Sequence, residues 1–193
     1  MTDGLSAVAY FDLHVMINLL RYQAAQIALS RGAEEAARPA DTLVAAMNAA
    51  VPAYHFADHL FFEFARLRPK VVYRTSELRR YRAYLDEFRC VDTISGAAIP
   101  DLALLGAVVD TYKHAELTKA SRPVIAPHAF ARIGQLPGET VSRVVVIQDG
   151  KPERSLLGII ENVVAMWQTE LTTHGLREAI GNLGAGNDRT YRY

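Results

Sequence analysis

Cysteine is almost missing from this chain: its 193 residues include only one, Cys90. A single thiol closes no intrachain disulfide, which fits a reducing compartment. Net charge is missing too, since 21 basic residues balance 21 acidic ones. Overall charge therefore points neither to nucleic acid nor to a membrane surface. Charge interrupts every apolar stretch well short of the ~20 residues that a membrane-spanning helix needs. Residues 1–10 lack the basic start and long apolar run of a secretory signal. We therefore expect a soluble, cytoplasmic protein. There is no internal repeat, no glycine-rich phosphate loop, no nucleophile elbow, no paired CxxC and no dinucleotide fingerprint. The enzyme classes that those motifs mark find no support here.

What is present suits one globular domain. Half of the residues are hydrophobic and 22% are charged, which is ordinary for a chain with a real core. The periodicity predicts a mainly α fold, a helical bundle with a small antiparallel β-hairpin between the last two long helices. Residues 1–175 read as a single helical domain with the hairpin near 141–154. Residues 176–193 read as a mobile tail, rich in glycine and ending Tyr191-Arg192-Tyr193.

The first helix is expected over Ser6–Arg31, with Val8, Phe11, Val15, Leu19 and Tyr22 along one stripe. His14, Asn18 and Arg21 form a second, polar stripe. Asp41 suits the N-cap of a segment over Thr42–Ala50, and Pro52 is expected to break or kink it. Helix then resumes over Ala53–Leu67, where Phe56, Leu60 and Phe64 should face the core. A third long helix is expected over Tyr73–Val91, followed by a loop around Gly96. Pro100 suits a helix start and Asp101 its first turn. Leu102, Leu105, Val109 and Tyr112 follow as an apolar stripe, and Gly106 inside it marks close helix packing.

After residue 122 the character changes. Residues 123–127 read as an edge strand bounded by prolines. Val141–Ile147 is the best strand, rich in β-branched residues. Asp149-Gly150 is a hairpin turn signal, and Lys151–Arg154 would return. Ser155 should cap a last helix that ends at His174-Gly175.

Three groups of residues carry candidate chemistry. Asp110 and His114 stand four apart, so they share a helix face, and such a carboxylate can orient an imidazole as a general base. His55, Asp58 and His59 lie on one face of the second helical segment, at spacing that lets imidazoles reach one metal. If the two helices faced each other, His55, Asp58, His59, Asp110 and His114 could hold a divalent metal with a bound water as nucleophile. The stretch from Arg68 to Arg89 has seven basic residues against three acidic ones. Arg79, Arg80 and Arg82 in it could meet a phosphate backbone, with tyrosines nearby for stacking.

Helices with an Asp-x-x-Lys-His end at 110–114, a short hairpin and a closing helix bearing Trp167 give the chain the look of bacterial helical proteins. In that it is similar to HEPN domains, over about residues 40–174. The resemblance implies a small helical bundle, usually dimeric and frequently an RNase of toxin or antiviral systems. The catalytic signature of that family is an arginine, four to six residues, then histidine near a helix start. No arginine stands at that distance before His114, although Arg122 precedes His128 with five residues between. Two readings follow. One is an interaction or regulatory domain, homodimeric through its broad apolar faces, with an RNA or protein partner. The other is a metal-binding protein or metal-dependent hydrolase built on the His/Asp cluster.

Overall fold

The computed structural model describes residues 6–30, 39–67, 75–113, 124–130, 141–147 and 151–177. The fold is mainly helical, with a small antiparallel sheet between the last two long helices. The first helix is continuous in three parts: α1 (Ala7–Tyr10), a π-helical turn (Phe11–Met16) and α2 (Ile17–Ser30). Its buried residues explain the π turn. Ala7, Phe11, Val15 and Leu19 recur at every fourth position. In an α-helix of 3.6 residues per turn, three such steps would carry the line roughly a third of the way round. A wider i to i+5 turn keeps them facing one way.

The long helix α3 (Pro39–Leu67) is the centre of the molecule and touches every other helix and two strands. Buried Ala46, Ala49, Ala50, Ala53 and Ala57 let its neighbours approach closely. Pro52 does not break it; the proline sits inside a helix that runs through. The helix also begins earlier than expected, so Asp41 lies in its first turn instead of capping it. Packing of the alanine face and of Phe56 and Leu60 on both sides of Pro52 outweighs the one lost backbone bond.

Helix α4 (Thr75–Phe88) leads through a loop to α5 (Asp101–Lys113). Gly96 turns that loop with φ of 71°. Asp92 holds it by accepting from the amides of Ile94 and Ser95. On α4 Leu85 is fully buried, whereas Tyr84 and Phe88 are exposed, Phe88 by 62%. Gly106 on α5 does mark close packing. A Cβ there would stand 2.7 Å from the ring of Tyr54 on α3.

Strand β1 (Val124–Phe130) pairs antiparallel with β2 (Val141–Ile147) over seven residues, and β2 pairs with the short β3 (Arg154–Ser155). The main pairing is therefore β1 with β2, and the return strand is only two residues long. The Asp149-Gly150 turn signal lies outside the described residues. Ser155 accepts from the amide of Gly158 and caps α6 (Leu156–Thr173). Trp167 of α6 closes the core: its indole N–H donates to the Ala53 carbonyl at 2.8 Å, and its ring meets Phe56 edge-on.

The start of the expected tail packs. Arg177 pairs with Asp12 and lies 5.5 Å from the Phe11 ring centre. Residues 178–193 lie outside the described residues. Among the described residues, no helix is long and apolar enough to cross a membrane.

Candidate functional site

The side chains with most chemistry gather where the first helix, α3, α4 and α5 meet. On α3, Phe56 and Leu60 turn inward and are fully buried. That leaves His55, Asp58 and His59 on the adjoining, half-buried face. His55 Nδ1 lies 3.3 Å from Asp58 Oδ2. That contact fixes the orientation of the imidazole ring. The other oxygen of Asp58 accepts from Arg82 of α4. The Arg82 guanidinium also lies over the Tyr54 ring, 4.8 Å from its centre, a favourable cation–π arrangement.

Tyr54 links this group to α5. Its ring rests on Gly106, and Asp110 stands one helical turn beyond that glycine. Burial raises the Tyr54 phenol above its ordinary pKa; Arg82 opposes this, and Asp110 and Asp58 add to it. The α3 cluster thus adjoins Asp110 of α5 through a tyrosine. Asp110 itself is exposed.

The first helix supplies the other wall. Tyr10 stacks on His59 with ring centres 3.6 Å apart, and His14 tilts against Tyr10 at 4.8 Å. Burial lowers the His59 pKa, Asp58 opposes the change, and the neighbouring His14 and His55 reinforce it. The surroundings of His59 thus favour its neutral form. His14 belongs to the π turn, a form often found at functional sites.

Beside Tyr10 and His14 opens a cleft of about 320 Å³, walled also by Asn18, Asn48 and Tyr112 and floored by Met47, Val51 and Pro52. Among the described residues, no carboxylate or guanidinium lines it. Asn18 is fixed by its amide, which donates to the His14 carbonyl at 2.7 Å.

The expected residues separate accordingly. His55, Asp58 and His59 come together, and Asp110 borders them through Tyr54. His114 lies outside the described residues, as does Arg122; His128 is on β1, not at a helix start. Among the described residues, no group of three His, Cys, Asp or Glu side chains is placed to hold a metal ion. The reason is local: Asp58 is engaged by Arg82, and the His59 ring lies flat on Tyr10. Arg79 and Arg80 are exposed, whereas Arg82 turns inward to Asp58.

Tyr112, expected in the core stripe of α5, is 53% exposed and lines the cleft instead. Of the polar stripe His14–Asn18–Arg21, the first two share the cleft. Tyr10, Tyr54 and Asn48 carry no signal in the sequence beyond their polar groups, because their partners lie on other helices. Comparison with family models, with curated proteins and with solved structures returned no match.

Proposed function

We propose that this protein is a helical interaction and regulatory domain that binds single-stranded RNA across α4 and the adjoining His–Tyr–Asp face. One observation carries this reading. The same turn of α4 that exposes Arg79 and Arg80 sends Arg82 to Asp58, beside His55 and His59. In a chain of zero net charge, that turn offers a local positive approach to a cluster of imidazoles and phenols. Guanidinium groups neutralise phosphates and hold the backbone. The cleft of rings and amides suits an unstacked base, which needs a flat apolar wall and hydrogen-bonding partners. The resemblance to HEPN domains agrees with an RNA partner.

The test is fluorescence anisotropy with a labelled single-stranded RNA in low salt. The double charge reversal Arg79→Glu with Arg80→Glu should weaken binding roughly 10-fold or more and flatten its salt dependence. Wild-type protein that ignores the RNA, or a reversal that binds as well as wild type, ends this reading.

A further inference from the structure

Pro52 has no amide hydrogen, so the carbonyl of Asn48, four residues earlier, lacks its ordinary partner within α3. Helix carbonyls point toward the C-terminal end, so this oxygen lies between Asn48 and Pro52. Both residues line the cleft beside Tyr10 and His14. The unpaired oxygen therefore opens on that cleft.

A second acceptor comes from the first helix. The Asn18 side chain reaches the His14 carbonyl at 2.7 Å. Only its amide nitrogen can donate to a carbonyl, so this contact fixes which way the amide stands. The oxygen, Oδ1, is left without a donor among the described residues. Asn18 lines the same cleft. Two uncharged acceptors from neighbouring helices thus open on one space, which the rings of Tyr10 and Tyr112 also wall.

We infer that this cleft selects a planar heterocycle carrying an exocyclic amine, as adenine, cytosine and guanine do and uracil does not. That the heterocycle is a base of RNA rests on the RNA reading; the pair of acceptors stands without it. An amine on an aromatic ring has two N–H groups in the ring plane, one for each acceptor. Uracil presents a carbonyl oxygen in that place, as thymine does. Acceptor would then face acceptor, and neither would be paired. Other ligands fit less well. Among the described residues, no lysine or arginine lines the cleft to hold an anion, and no carboxylate lines it to hold an organic cation. Its volume of about 320 Å³ stands at the lower end of the roughly 300–1,000 Å³ of small-molecule sites. One base with its sugar suits that space.

The experiment has two arms, which separate a free nucleoside from a base in a strand. Adenosine and purine riboside differ only in the exocyclic amine. Titrated into the full chain and followed by NMR, adenosine should bind roughly 10-fold more tightly. Oligoadenylate and oligouridylate, compared by fluorescence anisotropy, should show the same preference. Asn18→Leu removes one acceptor. Pro52→Ala returns an amide to the Asn48 carbonyl, and α3 already runs through this position. Each variant should cut the preference to about threefold or less. A proline that served packing alone would leave the preference unchanged in Pro52→Ala. Arg79→Glu with Arg80→Glu should weaken both RNAs alike and keep their ratio. The inference is overturned if neither arm shows a preference, or if either cleft variant keeps it in full. RNA binding that depends on Arg79 and Arg80 survives that result. A preference for adenosine in a protein that ignores RNA ends the RNA reading alone and leaves the cleft as a site for a free nucleoside.

Discussion

His59 shows how much of this site is set at the level of one residue. Its ring is stacked on Tyr10 and lies near two other imidazoles. Burial, the largest cause, lowers its pKa below the usual 6.5. The fold thus favours the neutral ring. Its contribution to stability is complete above the unfolded value and is lost as pH falls through the lowered folded value. Wild type should therefore lose stability on moving from pH 7.5 to pH 5. His59→Gln, which cannot titrate, should show a shallower acid limb. Urea unfolding at a series of pH values measures both; parallel limbs would show that His59 is not the titrating group. The residue types at 55, 58 and 59 are legible in the sequence as a polar face. Their actual partners are not. A spacing of three or four fixes which side of a helix a residue occupies and says nothing of what stands opposite.

Among the elements, helix ends and helix faces are well marked. Ser155 and Gly175 bracket the last helix as expected, because both signals act within a few residues of themselves. Gly175 adopts φ of 66°. That conformation lets the amides of Leu176 and Arg177 reach the Leu171 carbonyl. A Cβ meets no neighbour there, so Gly175→Ala should cost only the left-handed backbone strain, about 1 kcal/mol. Thermal unfolding reads the change, and a variant as stable as wild type would mean that this turn does not hold the end of α6. Two elements depart from the local signals. Pro52 stays inside α3, and the first helix widens into a π turn. In both, packing of a long apolar face decides the backbone, and it outweighs one residue's preference.

Across the whole molecule, one buried polar network ties distant segments together. Asp101, at the start of α5, is completely buried. It accepts two bonds from Arg154 of β3, one of them 2.8 Å long, and another of 2.8 Å from Asn162 of α6. Asn162 in turn accepts from the amide and the hydroxyl of Thr93, both at 2.9 Å. The loop, α5, the sheet and α6 thus meet at one carboxylate. Arg154→Ala would leave that carboxylate buried with only Asn162, a change that should cost about 3 kcal/mol or more. Asp101→Asn, which removes the charge, should cost less. The two urea midpoints test the order, and an Arg154→Ala protein of wild-type stability would remove the network from the account. In the sequence, Asp101 is a first-turn residue suited to a helix dipole. Its larger role depends on an arginine 53 positions later.

Taken alone, the chain of residues already specifies the helical class, the β-branched strand at 141–147, the capped last helix and the polar faces of the first helix and of α3. These follow from periods of two and 3.6 residues and from cap chemistry, which operate over a turn or a strand. That Leu13, Ile17 and Leu20 stand open to solvent is a result of tertiary packing. Tertiary packing also pairs Asp58 with Arg82, lays His59 on Tyr10, and seats Tyr54 on Gly106. The physical reason is common to all of these. Local chemistry sets the face on which a side chain stands, whereas the crossing of helices far apart in the chain sets what that face meets.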